Sequence, residues 1–131
     1  MSMRIESGGT FDGLKMVVRS DEDISAYSTV TWDLLGVSEP SVEDSSTAEN
    51  KNPCVGITGP GGIASGRQGE ILLYGVIENR AWSWSAPQIP LYLSAVDGQM
   101  GEAPAGPWHQ QVATTITTTK ILFDPMSVWE I

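Results

Sequence analysis

His109 is the only histidine and Cys54 the only cysteine, so the side chains that most often do chemistry are scarce. A nucleophilic triad would need His109 as base, with a hydroxyl such as Ser94 and an acid such as Asp97. The Gly-x-Ser-x-Gly turn that exposes a hydrolase serine does not occur, and Pro107, Trp108 and Gln110 place His109 in a loop. One His and one Cys cannot make the usual zinc ligand sets without several carboxylates. Asp21-Glu22-Asp23 offers the hard oxygen ligands that calcium takes, but without EF-hand spacing it reads as a solvated turn. Sixteen acidic residues would allow a glycosidase carboxylate pair, yet nothing marks any two of them as one. The glycines between Gly59 and Gly66 miss the phosphate-cradling spacing, and no helix-forming run follows them. Catalysis, cofactors and metals are therefore not expected.

The five tryptophans carry more information. Trp82 and Trp84 are two positions apart, so on a strand they would share a face. Trp108 lies in a Pro/Gly stretch, and Trp129 stands close to the last residue of the sequence. Indole rings fill cores and anchor protein interfaces. They also stack on sugars, for which Trp82, Trp84, Tyr92 and Trp108 are the candidates. A tryptophan in the position of Trp129 is hard to bury within a small monomer, so packing against another subunit is expected of it.

The elements that must hold these residues are short strands. Leu14 to Arg19 is rich in strand formers, and Ser28 to Leu34 alternates, with Val30, Trp32 and Leu34 on one face and Thr29, Thr31 and Asp33 on the other. Cys54 to Thr58 predicts a short buried strand, with Cys54 a small core residue. Glu70 to Glu78 is apolar on both faces in places, and Leu91-Tyr92-Leu93 is a further strand. Asp97-Gly98 signals a hairpin turn. Val112 to Thr119 is nearly all β-branched, and Ile121-Leu122-Phe123 predicts the last strand. The pattern predicts an all-β fold, a single-domain barrel or sandwich of about seven to eight strands spanning 1–131. Residues 1–12 are expected to be an extended arm, and Ser38 to Pro53 a long acidic surface loop.

Length and charge agree with one core and narrow the partners. A compact chain of 131 residues buries about two thirds of the surface its unfolded form exposes. The formal charge of −9 disfavours nucleic acid and anionic lipid heads, and favours a basic protein partner. No apolar run approaches the length of a membrane span, and no apolar stretch after Met1 resembles a signal peptide. The expectation is a chain made in a cytoplasm that stays soluble.

From Gly56 to Ile131 the order of phrases resembles the small virion structural proteins of tailed bacteriophages, the head-decoration (cement) and head- or tail-fibre type. The phrases are Gly56-Ile57-Thr58, Gly61 to Gly66, Ile71 to Glu78, Trp82-Ser83-Trp84 and Leu91-Tyr92-Leu93-Ser94. They continue with Gly98-Gln99-Met100, Gln111-Val112 and Phe123-Asp124-Pro125. The chain departs from the group at Ala113-Thr114-Thr115, where Val-Gly-Val-Ala is frequent, and in its longer acidic loop. The resemblance implies a non-enzymatic β-barrel that attaches to the virion, often as a homotrimer, with the major capsid protein or another virion protein as its partner. Assembly would take place in the host cytoplasm, with release by lysis, which a soluble chain fits. On that reading Arg4, Ile5 and Phe11 of the arm, with Trp129 and Ile131, are the expected subunit or capsid contacts. The alternative implication is a receptor-binding or fibre module that recognises a host glycan through the tryptophans.

Overall fold

A computed structural model describes residues 11–33, 41–44, 46, 53–104, 108–125 and 129–130, with the main chain alone described at 41–44, 108–109 and 129–130. In chain order the strands are β1 (Phe11–Ser20), β2 (Thr29–Trp32), β3 (Ser41–Asp44), β4 (Gly56–Thr58), β5 (Arg67–Glu78) and β6 (Pro90–Leu93). They are followed by β7 (Met100–Gly101), β8 (Trp108–His109), β9 (Gln111–Thr115), β10 (Lys120–Phe123) and β11 (Trp129–Glu130). The described residues contain no helix. The fold is all-β, as the periodicity predicts.

Nine strands form one sheet in the order β1-β3-β2-β4-β5-β10-β9-β6-β7, and β1 also pairs with β5. That extra pairing joins β1, β3, β2, β4 and β5 into a barrel, and β10, β9, β6 and β7 continue the sheet past it. Every ladder of this sheet is antiparallel except β1–β3. β8 and β11 form a separate two-stranded ladder that sets Trp129 opposite His109. The expected acidic loop carries β3 within it. Ser41 and Val42 pair with the end of β1 while Val42 to Asp44 pair with β2, so this segment completes the barrel wall. Phe11 and Asp12, placed in the arm by sequence, begin β1 opposite Ile77 and Val76.

The long β1–β5 ribbon serves two cores. Val18, Ile71, Val30, Ile24 and Ile63 form the smaller one, inside the barrel. Ile24 and Ile63 exchange main-chain hydrogen bonds of 2.8 and 2.9 Å that tie two loops together there. The larger core gathers Ile57, Leu72 and Ile77 with Leu91, Leu93, Val112, Ala113, Ile121 and Phe123, and includes Cys54. Ile71 and Leu72 are successive residues facing opposite ways, as strand alternation requires. Ile77 nevertheless rejoins Leu72 in the larger core, five positions further on. The register explains this: Leu14 pairs with Tyr74 and Lys15 with Leu72, leaving Leu73 as an extra residue in β5. A bulge of one residue exchanges the two faces of a strand beyond it.

Just past the bulge, Gly13 and Gly75 lie directly opposite each other. Their φ angles are +143° and +147°, a region L side chains rarely enter. A Cβ on Gly13 would lie 2.1 Å from the Tyr74 carbonyl oxygen, and one on Gly75 2.1 Å from that of Asp12. The two backbones touch here, and only a glycine pair permits it.

Trp108 and His109, expected in a loop, form β8 instead because they pair with β11. Two further expectations about local structure are revised. Val30 is buried as the alternation predicts, but Thr29 and Thr31 on the opposite face are buried too. The turn between β6 and β7 reaches this strand, with the Thr29 N–H donating to the Gly98 carbonyl at 3.0 Å. The β-branched run after Val112 is also not one strand. β9 ends at Thr115, and a turn at 116–119 leads to β10. Thr117 Oγ1 accepts from the N–H groups of Thr119 and Lys120 at 3.2 and 3.0 Å, a local side-chain bond that competes with the ladder.

Candidate functional site

The cavity that brings candidate side chains together lies where three connections meet: the turn before β2, the long loop between β5 and β6, and the β6–β7 hairpin. Its volume is about 350 Å³. Tyr27, Trp82, Trp84 and Met100 supply apolar surface, while Ser25, Ser28, Asp97 and Gln99 supply hydroxyl, carboxylate and amide groups.

Each wall is tied down by its own hydrogen bonds. In the turn before β2, Tyr27 has φ of 55°, an uncommon left-handed conformation for a non-glycine residue. Its N–H donates to the Gly59 carbonyl at 3.2 Å. Buried Thr58 braces the same turn: its hydroxyl accepts from Ser28 N–H at 2.9 Å and donates to the Ser25 carbonyl at 2.7 Å. The tryptophan loop is hung from the turn between β9 and β10. Asn79 N–H donates to the Thr119 carbonyl at 3.0 Å and Trp84 N–H to that of Thr118 at 2.9 Å. Further along, buried Thr115 accepts from Ile89 N–H at 2.9 Å and donates to the Ala86 carbonyl at 2.8 Å. The Glu102 carboxylate accepts from both the N–H and the hydroxyl of Ser85, at 3.1 and 2.5 Å. In the hairpin, Gly98 takes φ of 75° and its carbonyl is fixed by Thr29.

Trp82 and Trp84 are not on a strand, yet they lie on one side, both packed against the larger core. Tyr27 and Trp82 meet edge to face, with centroids 5.5 Å apart and planes at 61°. Trp82 and Trp84 are 5.7 Å apart and tilted by 48°. All three residues also line the cavity. The Trp84 indole N–H is enclosed without a hydrogen-bond acceptor.

Of the expected sugar-stacking residues, the structure thus unites Trp82 and Trp84. Tyr92 is separated from them by strand alternation: Leu91 and Leu93 point into the larger core, against which both tryptophans pack, and Tyr92 takes the other face of β6. For Trp108 the main chain is described, opposite Glu130 in the β8–β11 ladder. Tyr27 and Asp97 line the cavity without having been candidates for it. Asp97 is legible in the sequence as a turn residue, whereas nothing local to Tyr27 connects it with tryptophans far along the chain.

Among the expected contact residues, Arg4, Ile5 and Ile131 lie outside the described residues. The main chain of Trp129 pairs with that of His109. Phe11 is half-buried against the larger core, with the Lys15 ammonium 4.8 Å from its ring centroid. Several of the groups weighed for catalysis or calcium make hydrogen bonds within the fold. Ser94 Oγ accepts from Val96 N–H at 3.0 Å. Asp21 pairs with the Arg19 guanidinium at 3.2 Å, and Asp23 accepts from Ser65 N–H at 2.8 Å.

Comparison with protein-family models, with curated proteins and with solved structures found no match to this chain.

Proposed function

We propose that this chain is a virion structural protein of a tailed bacteriophage, a capsid decoration protein that binds and braces the assembled head. The observation that carries the reading is where the phrases of the resemblance fall. They supply Ile57, Leu72, Ile77, Leu91, Leu93, Val112 and Phe123, most of the larger core. Part of the resemblance thus rests on residues that determine the fold. The charge of −9 adds support, since it suits a basic protein surface as partner.

The mechanism is mass action. A module that binds the assembled shell and not its separated subunits stabilises the shell by the free energy of that binding. A homotrimer would match local three-fold positions of a head lattice, because closed cyclic symmetry presents one contact three times. Arg4, Ile5 and Phe11 are proposed for the capsid contact, with Trp129 and Ile131 at a subunit seam.

The purified chain is expected to cosediment with assembled heads and not with dissociated capsid protein. Deleting Met1 to Thr10 is expected to abolish that cosedimentation while leaving the thermal melt in place. Equal binding by the shortened chain refutes the arm contact, and failure of the full chain to bind heads refutes the decoration role.

One observation favours a second reading, a receptor-binding or fibre module. Trp82 and Trp84 converge on an open cavity instead of being spent entirely on the core.

A further inference from the structure

We propose that the cavity between Tyr27, Trp82, Trp84 and Asp97 binds a single neutral pyranose unit of a glycan. This deepens the receptor-binding reading and rests on it.

The walls fit a ligand with two unlike sides. A pyranose presents a face of C–H groups, slightly positive and apolar, and a perimeter of hydroxyls. Aromatic faces are negative and apolar, so they take the C–H face. Here Tyr27, Trp82 and Trp84 supply aromatic surface to the lining, and Ser25, Asp97 and Gln99 supply the polar groups that a perimeter of hydroxyls needs. Asp97 accepts from hydroxyls, Gln99 both donates and accepts, and Ser25 does either.

Size and charge narrow the class. A cavity of about 350 Å³ is at the small end of ligand pockets, which suits one ring and not an extended chain. A carboxylate in the lining, on a chain of charge −9, opposes sialylated and sulfated sugars. A compact organic cation is the competing ligand, since aromatic cages bind quaternary ammonium. The observations favour the sugar, because Ser25, Ser28 and Gln99 add hydroxyl and amide groups to the lining beside the Asp97 carboxylate, and an ammonium without N–H would use the carboxylate alone. The walls are held by bonds from Gly59, Thr58, Thr118 and Thr115, so little ordering is left to oppose binding.

The test is saturation-transfer NMR on the purified chain with free glucose, galactose and N-acetylglucosamine in turn, alongside the indole N–H signals of Trp82 and Trp84. Transfer to ring C–H protons of at least one sugar is expected, with a shift of the Trp84 indole signal. Gln99→Ala, at an exposed position, is expected to weaken binding about tenfold with an unchanged melting temperature, and Asp97→Asn to weaken binding by a similar factor. Trp84→Phe, which keeps an aromatic ring on the core, is expected to weaken it as well. No transfer from any of the three sugars overturns the proposal. So does binding that these variants leave intact, or a response of the same indoles to tetramethylammonium and to no sugar. A glycan array probed with the parent chain and the variants separates the two levels. Array binding indifferent to the variants leaves the receptor reading standing and removes this cavity from it, whereas an array without any binding removes both.

Discussion

Gly75→Ala is expected to be among the most damaging single substitutions in this chain, lowering stability by about 4 kcal/mol. Two independent costs combine. The residue must hold φ near +147°, where an L side chain is strained by roughly 1–3 kcal/mol. Its new methyl would also fall 2.1 Å from the Asp12 carbonyl oxygen, which is main chain and cannot swing away. Relief would require β1 and β5 to separate at the point where Phe11 and Ile77 enter the larger core. Overpacking of that kind costs roughly 1–3 kcal/mol more. Gly13→Ala should behave alike, because its methyl would meet the Tyr74 carbonyl. Gly61→Ala is the control: it has open space around it and an ordinary φ, so its chemical-denaturation midpoint should hardly move. A Gly75→Ala protein with a midpoint close to the parent's would mean that the two strands do not approach as described.

Gln110→Ala is expected to cost about 3 kcal/mol, far more than a polar-to-alanine change on a surface. The Gln110 side chain is buried and mimics a strand partner for one residue of the chain. Its Oε1 accepts from Cys54 N–H at 2.7 Å and its Nε2 donates to the Cys54 carbonyl at 2.9 Å. Removing the amide takes that partner from two buried main-chain groups, each worth roughly 1–3 kcal/mol when left unsatisfied. The contact also joins distant parts of the chain, the entry to β4 and the entry to β9. Gln110→Glu is the sharper variant, since a carboxylate can still accept from Cys54 N–H but when ionised cannot donate to the carbonyl. Denaturant unfolding should therefore place Gln110→Glu below the parent. Hydrogen exchange at the Cys54 amide should rise in Gln110→Ala. A midpoint for Gln110→Ala equal to the parent's would contradict the clamp.

These two sites show which parts of the fold were legible in the residues. Periods of two and turn residues expose Val30, the run from Ile71 to Glu78, and Leu91 with Leu93, because a strand face at a core writes itself locally. Asp97-Gly98 likewise marks the β6–β7 turn it occupies. The Leu73 bulge leaves no comparable trace. A run apolar on both faces looks the same with or without one extra residue, and only the partner strand reveals the shift. Thr29 and Thr31 alternate as outward residues should, yet a hairpin from later in the chain covers them. The β-branched stretch at Ile116 to Thr119 promises strand by propensity, and the Thr117 hydroxyl turns it instead. β3 lies in a segment whose acidic, Ser-rich composition reads as loop, and what makes it a strand is the pairing offered on both sides by β1 and β2.

The site follows the same rule. The spacing of Trp82 and Trp84 puts them on one face only if they lie on a strand; a loop carries them instead, and their packing against the larger core is what brings them together. Tyr92 is their equivalent in residue type, but its neighbours Leu91 and Leu93 claim the core-facing side of β6. Tyr27 could be found only from the fold, since the cavity joins it to tryptophans far along the chain.

The decoration role is tested most directly by location on the particle. An antibody raised against this chain and visualised by immunogold electron microscopy on purified particles from the source culture should label heads evenly. Gold confined to tails or fibre tips, or particles without any label, would contradict it.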